Sequence, residues 1–202
     1  MNFNLQKLFL EFYTPDKTQN HKSGASSVVG TMDLRKQLKD LFEKYNIHSM
    51  FDSGCNDCGW MNELIKTTQI DYQGGDISPA MIDHVRAVYP TLKVQTHDGT
   101  TDPYPLVDLL FVRDVTIHLN NLDKKKLLQN WIASNSPWLL VTHNVEIKHN
   151  VDFEYCDAFP FSEVNWETAP WNFPPPTHSA WEYNVGGRSM SMWHRDQLRN
   201  IL

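Results

Sequence analysis

The 202-residue sequence predicts an α/β fold, with a mostly parallel central sheet and helices on both faces. Three observations predict it. Short apolar runs alternate with segments of helical periodicity, which is typical of parallel sheets joined by crossover helices. Glycine, aspartate or asparagine follows most of these runs, where a strand turns into its connection. The hydrophobic fraction of 41% and the charged fraction of 21% are ordinary for a globular chain, and we expect residues 1–202 to form a single domain.

The apolar runs predict five parallel strands and a later sixth strand. They are Ser49–Gly54, Tyr72–Ile77, Leu92–His97, Val107–Val112, Trp138–Thr142 and Arg188–Trp193. Apolar residues spaced three and four apart predict a helix before the first strand, around Leu34, Leu38, Leu41 and Phe42. Further helices are predicted over Trp60–Thr67, Pro79–Val88 and Leu122–Ala133. Pro79 suits the first turn of its helix.

The two ends of the chain differ from this alternating middle part. Residues 1–30 form an N-terminal entry segment that closes on a loop of small residues, Ser23–Ser27. Residues 160–181 are rich in proline and tryptophan, which predicts an ordered loop rather than a helix or a central strand. This loop is either a wall of an acceptor pocket or a stiff cap over the sheet.

Charge and composition exclude several classes of protein. A net charge of −6 and a pI near 5.8 argue against binding to nucleic acid through phosphate neutralisation. No apolar run is long enough to span a membrane, and the N-terminus has no signal-peptide pattern. Three cysteines are an odd number and do not suggest a disulfide framework. We therefore expect a cytoplasmic protein without a membrane span.

The acidic residues at the strand ends indicate the kind of ligand. Asp76 follows Asp52 by a little over twenty residues and lies at the end of the second predicted strand. A carboxylate at this position can accept hydrogen bonds from both hydroxyls of an adenosine ribose. Asp52, Asp57 and Asp76 together would repel a pyrophosphate and attract a cation. The pattern therefore favours a sulfonium cofactor over a dinucleotide.

Five ordered motifs then resemble one family. Phe51–Met61 resembles the first motif of class I S-adenosylmethionine (SAM)-dependent methyltransferases, and is most similar to a subgroup with the motif F-D-A-P-C-G-D-F-N-W-M. Tyr72–Ile77 is similar to Y-I-G-x-D-I, and Arg113–Leu119 to R-D-C-L-V-H-L. Ser23–Ser27 resembles an S-G-x-G-S entry loop, and Ala169–Pro174 resembles P-F-N-F-P.

The resemblance implies a Rossmann-like class I methyltransferase fold that uses SAM and releases S-adenosylhomocysteine (SAH). Carried over residue by residue, it places the cofactor against Ser26, Ser27, Arg35, Asp52, Gly54, Asn56, Trp60, Asp76, Ile77, Asp98 and Arg113. Asp76 would hold the ribose hydroxyls, and Asp98 would face the adenine edge. Gly54 stands where the subgroup has proline and Asn56 where it has glycine; asparagine tolerates the left-handed backbone that such a turn requires.

A hydroxyl acceptor must lose its proton during methyl transfer, and histidine suits this task at neutral pH. His118 follows Asp114 by four residues, so one helical turn would place both on one face. We take His118 as the candidate base and Asp114 as an orienting group, with His143 as an alternative base. Asn144, Trp171 and Phe173 are the candidate acceptor-binding residues.

These observations predict a SAM-dependent methyltransferase that methylates a hydroxyl of a sugar or glycan. Three alternatives stay open: a cofactor-binding protein with weak or no catalysis, a methyltransferase of another small molecule or of a protein, and a nicotinamide-dependent oxidoreductase. A divalent metal assists some sugar methyltransferases, but no complete ligand set is visible, so no metal site is predicted. The single Cys55/Cys58 pair is explained by the turn rather than by zinc or redox chemistry.

Overall fold

The computed structural model describes residue 7 and residues 26–156, 160–182 and 186–201. Five α-helices occur in these ranges: α1 (Met32–Tyr45), α2 (Gly59–Ile65), α3 (Pro79–Val88), α4 (Asn121–Ser134) and α5 (Arg195–Leu198). The strands of the same ranges are β1 (Ser49–Ser53), β2 (Asp71–Asp76), β3 (Lys93–Thr96), β4 (Leu109–Val112), β5 (Trp138–Asn144), β6 (His178–Trp181) and β7 (Arg188–His194). Of the predicted entry loop, Ser23, Gly24 and Ala25 lie outside the described residues.

These strands form one sheet in the order β3-β2-β1-β4-β5-β7-β6. Strands β1 to β5 are parallel to one another, and β7 runs antiparallel between β5 and β6. The predicted mostly parallel sheet is therefore confirmed. The chain order reverses between β1 and β4, and in such sheets ligands bind beside the carboxyl ends of the strands at this switch point.

Alternate residues of the central strands build two separate cores, one on each face. Met50 of β1 and Phe111 of β4 face a cluster with α1, α2 and α3, whereas Phe51 and Leu110 face a cluster with α4 and α5. This alternation is the period of two that strands impose on their side chains. Helices thus cover both faces, as predicted.

The proline- and tryptophan-rich segment covers part of the second face. Trp166, Trp171 and Phe173 are buried there together with Trp193 of β7. Because α4 and the short α5 are the helices that pack against this face in the described ranges, the segment supplies apolar cover that a further helix would otherwise provide. Its last residues differ from the prediction, since His178–Trp181 form the edge strand β6 rather than a loop.

Local signals explain where the helices begin and end. The Ser78 hydroxyl accepts a hydrogen bond from the Met81 N–H at the start of α3, and the Asn120 side chain does the same for Asp123 at the start of α4. Asn46 ends α1 in the left-handed conformation. No helix among the described residues is long and apolar enough to cross a membrane.

Candidate active site

The turn after β1 is built from residues with positive φ. Gly54 has φ +82°, Asn56 +48° and Cys58 +54°, so Asn56 adopts the left-handed backbone that its place in the motif requires. The Gly54 N–H donates to the Gly75 carbonyl at 2.7 Å, which ties the turn to the end of β2. A Cβ on Gly54 would lie 2.2 Å from a methyl carbon of Val115, so the position has no room for a side chain. The turn therefore brings bare backbone to the switch point.

Asp52 is the last residue but one of β1 and lies inside the protein. Its side chain accepts a hydrogen bond from the Tyr72 hydroxyl at 3.0 Å, and the residue is 4% exposed. Gly74 makes this contact possible, because a Cβ there would lie 2.7 Å from the Tyr72 hydroxyl. Burial raises the pKa of Asp52 to about 7, although the Tyr72 hydrogen bond partly opposes the rise. The carboxyl is poised between its neutral and charged forms near neutral pH.

Asp76 ends β2 beside it. One oxygen accepts the Asn56 N–H at 3.0 Å, and the other accepts the Ser78 N–H at 2.9 Å. These bonds fix the orientation of the carboxylate and join it to the turn after β1. Burial nevertheless raises the pKa of Asp76, with the two backbone hydrogen bonds acting in the opposite direction. The structure thus brings together four predicted cofactor residues: Asp52, Gly54, Asn56 and Asp76.

Other predicted cofactor residues lie around this centre. Ile77 follows Asp76 and is partly buried. The Asp98 carboxylate accepts the N–H and the hydroxyl of Thr100, at 2.9 and 2.7 Å, within its own turn after β3. The guanidinium of Arg113 lies 5.6 Å from the ring centre of Trp60 at the start of α2.

The described part of the entry segment reaches the site through one residue. The Ser26 hydroxyl accepts a hydrogen bond from Arg113 at 3.1 Å. The Ser27 hydroxyl instead accepts the Gly30 N–H, and Arg35 donates to the Val28 carbonyl at 2.8 Å. Ser27 and Arg35 therefore stabilise the approach to α1 in this structure.

Two arginines and two carboxylates form what we call the arginine–carboxylate cluster: Arg113, Asp114, Glu182 and Arg188. Glu182 accepts from Arg113 at 2.7 Å and from Arg188 at 2.7 Å. Asp114 accepts from Arg188 at 3.1 Å and lies 3.3 Å from Arg113. Sequence analysis missed Glu182 and Arg188, since they follow and begin the terminal strands, far along the chain from Arg113.

The backbone of Asp114 differs from the predicted helical turn. Its φ is +58°, and the 3₁₀ turn that follows covers Thr116–His118 only. The Asp114 N–H donates to the Thr142 hydroxyl at 2.8 Å, which fixes this unusual conformation. The Asp114 side chain is 24% exposed, compared with 5% for Arg113 and 6% for Glu182, so it is the cluster member with the most access to solvent.

His118 lies at the end of the 3₁₀ turn and is 7% exposed. Its Nδ1 is 2.7 Å from the Pro160 carbonyl, which can only accept, so Nδ1 carries the proton of the neutral ring. The lone pair is therefore on Nε2. Burial lowers the pKa of His118, while the Pro160 hydrogen bond and the charge of Asp114 act in the opposite direction. A neutral histidine of this kind is suited to accept a proton.

His143, the alternative base, is fully buried. Its Nε2 lies 3.0 Å from the Asn165 side-chain oxygen, and its Nδ1 lies 3.1 Å from the Ser191 hydroxyl. Asn144 is also buried; its amide donates to Glu163 at 3.2 Å, and its side-chain oxygen accepts the Val164 N–H. Both side chains join β5 to neighbouring segments.

The two aromatic candidates for acceptor binding are core residues. Trp171 is 6% exposed and Phe173 is 3% exposed. The Phe173 ring stacks on Trp166 at 5.3 Å and meets Trp193 edge-on at 5.5 Å. This placement matches a cap over the sheet, which was the other interpretation of the segment.

Neither a metal centre nor an accessible thiol pair occurs in the part of the chain that the structure describes. Its residues contain no group of three or more His, Cys, Asp or Glu side chains placed to hold a metal ion. Cys55 and Cys58 are both buried. The hydrogen bond from Cys58, together with burial, raises the pKa of the Cys55 thiol, which makes it a poor nucleophile.

Comparison with known proteins supports the fold. No protein-family model matches the chain, and no curated protein sequence matches it. Among solved structures, human N-acetylserotonin methyltransferase in complex with SAM superposes with a TM-score of 0.56 at 16% identity, over 70% of this chain and 42% of that one. Magnesium protoporphyrin IX methyltransferase from Synechocystis PCC 6803 with bound SAH gives 0.55 at 12%, over 71% and 74%.

A third similar structure is the N-methyltransferase NodS from Bradyrhizobium japonicum WM9 in complex with SAH. It gives a TM-score of 0.52 at 15% identity, over 70% of this chain and 74% of that one. The fold is that of the class I methyltransferases. The chain spans less than half of the human enzyme that it matches, and at these identities the likeness is one of fold.

Proposed function

We propose that the protein is a SAM-dependent methyltransferase that methylates a hydroxyl group, with His118 as the general base. The observation that carries the proposal is the pair of carboxyls at the ends of β1 and β2. Burial raises the pKa values of Asp52 and Asp76, and neither carboxyl lies within salt-bridge distance of a cation of the described residues, although the charge of Arg113 partly opposes the rise at Asp52. Such a pair favours a cationic ligand at the switch point.

The residues fit SAM better than a dinucleotide. Asp76 is oriented for ribose hydroxyls by its two backbone hydrogen bonds, and Asp52 would face the positively charged methionine part. A pyrophosphate at the same turn would meet both carboxyls, and Arg113, the cation whose charge lowers the pKa of Asp52, is already paired with Glu182. The solved structures of this fold described above are complexes with SAM or SAH, which supports the same choice. When bound, SAM supplies an activated methyl group on its sulfonium.

His118 has the properties that proton removal from a hydroxyl requires. Its Nε2 carries the lone pair because Nδ1 donates to Pro160, and burial keeps the ring neutral near pH 7. Nε2 accepts the proton of the acceptor hydroxyl as that oxygen is methylated. Asp114, with the most exposed side chain of its cluster, is placed to accept a second hydrogen bond from the acceptor.

A sugar or glycan is the first acceptor class to test. Trp171 and Phe173, the aromatic residues that the sequence offered for stacking on a sugar ring, are buried in the core and do not support this acceptor class. The hydroxyl itself is supported by the neutral histidine. Several hydroxyls on one acceptor would satisfy both His118 and Asp114.

The decisive experiment uses SAM with a labelled methyl group and fractionated cell extract, followed by mass spectrometry of the labelled product. We expect His118→Ala to keep SAM affinity by calorimetry and to lose at least about 100-fold in turnover, in line with general-base catalysis. His48→Ala is the matched control, because His48 is exposed and bonded to Asn46. Unchanged turnover in His118→Ala would remove the base assignment.

The same experiment separates the alternatives. SAM binding without product from any fraction would favour a cofactor-binding protein. A labelled polypeptide would indicate a protein acceptor. Tighter binding of NADH than of SAM would contradict the proposal and favour an oxidoreductase.

A further inference from the structure

The arginine–carboxylate cluster balances its own charge. Arg113 and Arg188 contribute two positive charges, and Asp114 and Glu182 contribute two negative charges. Glu182 receives both guanidinium groups: Arg188 reaches its two oxygens at 2.7 and 3.0 Å, and Arg113 reaches one of them at 2.7 Å. Without Glu182, two buried guanidiniums would have one carboxylate of the cluster, Asp114, between them.

This arrangement sets the environment of Asp114 from more than one side. Arg188 donates to one oxygen at 3.1 Å, and Arg113 lies 3.3 Å from the other. The Thr142 hydroxyl lies 3.3 Å from the oxygen that Arg188 also contacts. The side chain is therefore held in one orientation, and its negative charge is largely offset by the two arginines.

Asp114 in turn is the charged group that acts on His118. Among the described residues, the Pro160 carbonyl and the Phe161 ring also face the imidazole, and the centre of the Phe161 ring lies 6.1 Å from that of His118. The Asp114 charge raises the pKa of His118, against the larger effect of burial. A carboxylate without its arginines would shift this balance toward the protonated ring, and a protonated ring cannot accept a proton.

We propose that Arg188 and Glu182 are positioning residues: Arg188 holds the Asp114 carboxylate beside the His118 turn and offsets its charge, and Glu182 holds the two arginines in place. The inference rests on the proposed role of His118 as the base. Neither residue touches the reacting atoms; Glu182 acts by orienting the two arginines, and Arg188 acts by binding Asp114. The link from β6 and β7 to the turn after β4 explains why two terminal strands contribute to the site.

The test is an NMR titration of the His118 ring in the free protein, in the absence of cofactor and acceptor. We expect Arg188→Gln to raise the pKa of His118 by about 0.5 or more, since one of the two cations beside Asp114 is lost. Arg188→Lys keeps the charge and should leave His118 within about 0.2 of the wild type. Arg86→Gln is the matched control, because Arg86 is exposed and pairs with Asp83 at the surface.

A second variant keeps the test decisive if Arg188→Gln does not fold. Asp114→Asn removes the negative charge itself and should lower the pKa of His118. An unchanged His118 titration in a folded Arg188→Gln or Asp114→Asn variant would overturn the proposal, as would an equal shift in Arg188→Lys. Because the titration needs no methyl transfer, failure of the proposed methyltransferase activity is recorded separately, by the labelled-SAM experiment.

Discussion

Two pairs of carboxyl groups lie at the same edge of the sheet, and their surroundings differ. Asp52 and Asp76, at the ends of β1 and β2, have raised pKa values and no ion pair among the described residues. Asp114 and Glu182, after β4 and β6, each contact two arginines within 3.3 Å. On the β1–β2 side of this edge, the carboxyls therefore have no salt-bridge partner among the described residues. On the β4–β7 side, two carboxylates and two arginines balance one another's charge.

This difference in counter-ions suggests different roles for the two pairs of carboxyl groups: one suits ligand binding and the other suits a fixed orientation. A carboxyl that is buried without a counter-ion costs folding free energy, and a cationic ligand can recover that cost when it binds. A carboxylate that already has two arginines gains little from a further cation, and serves better as a fixed hydrogen-bond acceptor. This contrast supports our proposal that the cofactor binds on the β1–β2 side and that the β4–β7 side orients the acceptor.

The largest effect on stability is expected when the arginine–carboxylate cluster loses one of its charges. Glu182→Gln leaves Arg113 and Arg188 without the carboxylate that both bind, and should lower the free energy of unfolding by about 3–5 kcal/mol. Chemical denaturation followed by tryptophan fluorescence measures this. Glu63→Gln is the control, because Glu63 pairs with Lys66 at the surface, and its loss should change stability little.

The double variant Glu182→Gln, Arg188→Gln tests whether these two residues stabilise the protein through each other. It removes one charge of each sign, so it should be less destabilised than the sum of the two single variants. Additive losses would show that Glu182 and Arg188 do not stabilise each other, and would contradict the comparison.

The sequence predicted the fold well because the signals for it are local. Alternating apolar runs and helical periodicity identify β1 to β5, β7 and the four longer helices. Strand β6 was missed because His178–Trp181 is short, follows three prolines, and has a single buried residue, Ala180. Its pairing is determined by β7, a contact that no local pattern encodes.

The residues of the candidate site also differ in how far local sequence signals could predict their proximity. Asp52, Asp76 and the turn between them follow directly from one βαβ unit, so their proximity was predictable. Glu182 and Arg188 join Arg113 and Asp114 across about a third of the chain. The fate of Trp171 and Phe173 was equally unpredictable, because aromatic residues suit a pocket wall and a core alike.

A smaller effect, on SAM affinity, is expected on the β1–β2 side of the edge. Asp52→Asn removes a carboxyl from the proposed cofactor side, and should weaken SAM binding by about 10- to 100-fold in calorimetry. SAH lacks the sulfonium charge, so its affinity should fall less. Asp71→Asn, at an exposed residue that pairs with Lys93, is the control. An equal loss for SAM and SAH would argue that Asp52 acts through shape and not through charge.

The last effect is a pH dependence of the free protein. Because the pKa of Asp52 is about 7 in the folded state and near 4 in an unfolded chain, the folded state binds more protons in this window. Stability from this group is therefore fully present below about pH 4 and is lost as the pH rises through about 7, with a slope of about 1 kcal/mol per pH unit or less.

Buried His97, His118 and His143 have lowered pKa values and produce the opposite slope, with stability lost as the pH falls below their ordinary range. The measurement that isolates Asp52 is thus the difference in thermal midpoint between wild type and Asp52→Asn from pH 5 to pH 8. We expect the variant to gain relative stability toward pH 8, and saturating SAM to reduce that gain by supplying the missing cation to the wild type. A difference that does not depend on pH would mean that Asp52 keeps one charge state throughout, and the contrast between the two halves of the edge would then have to rest on geometry alone.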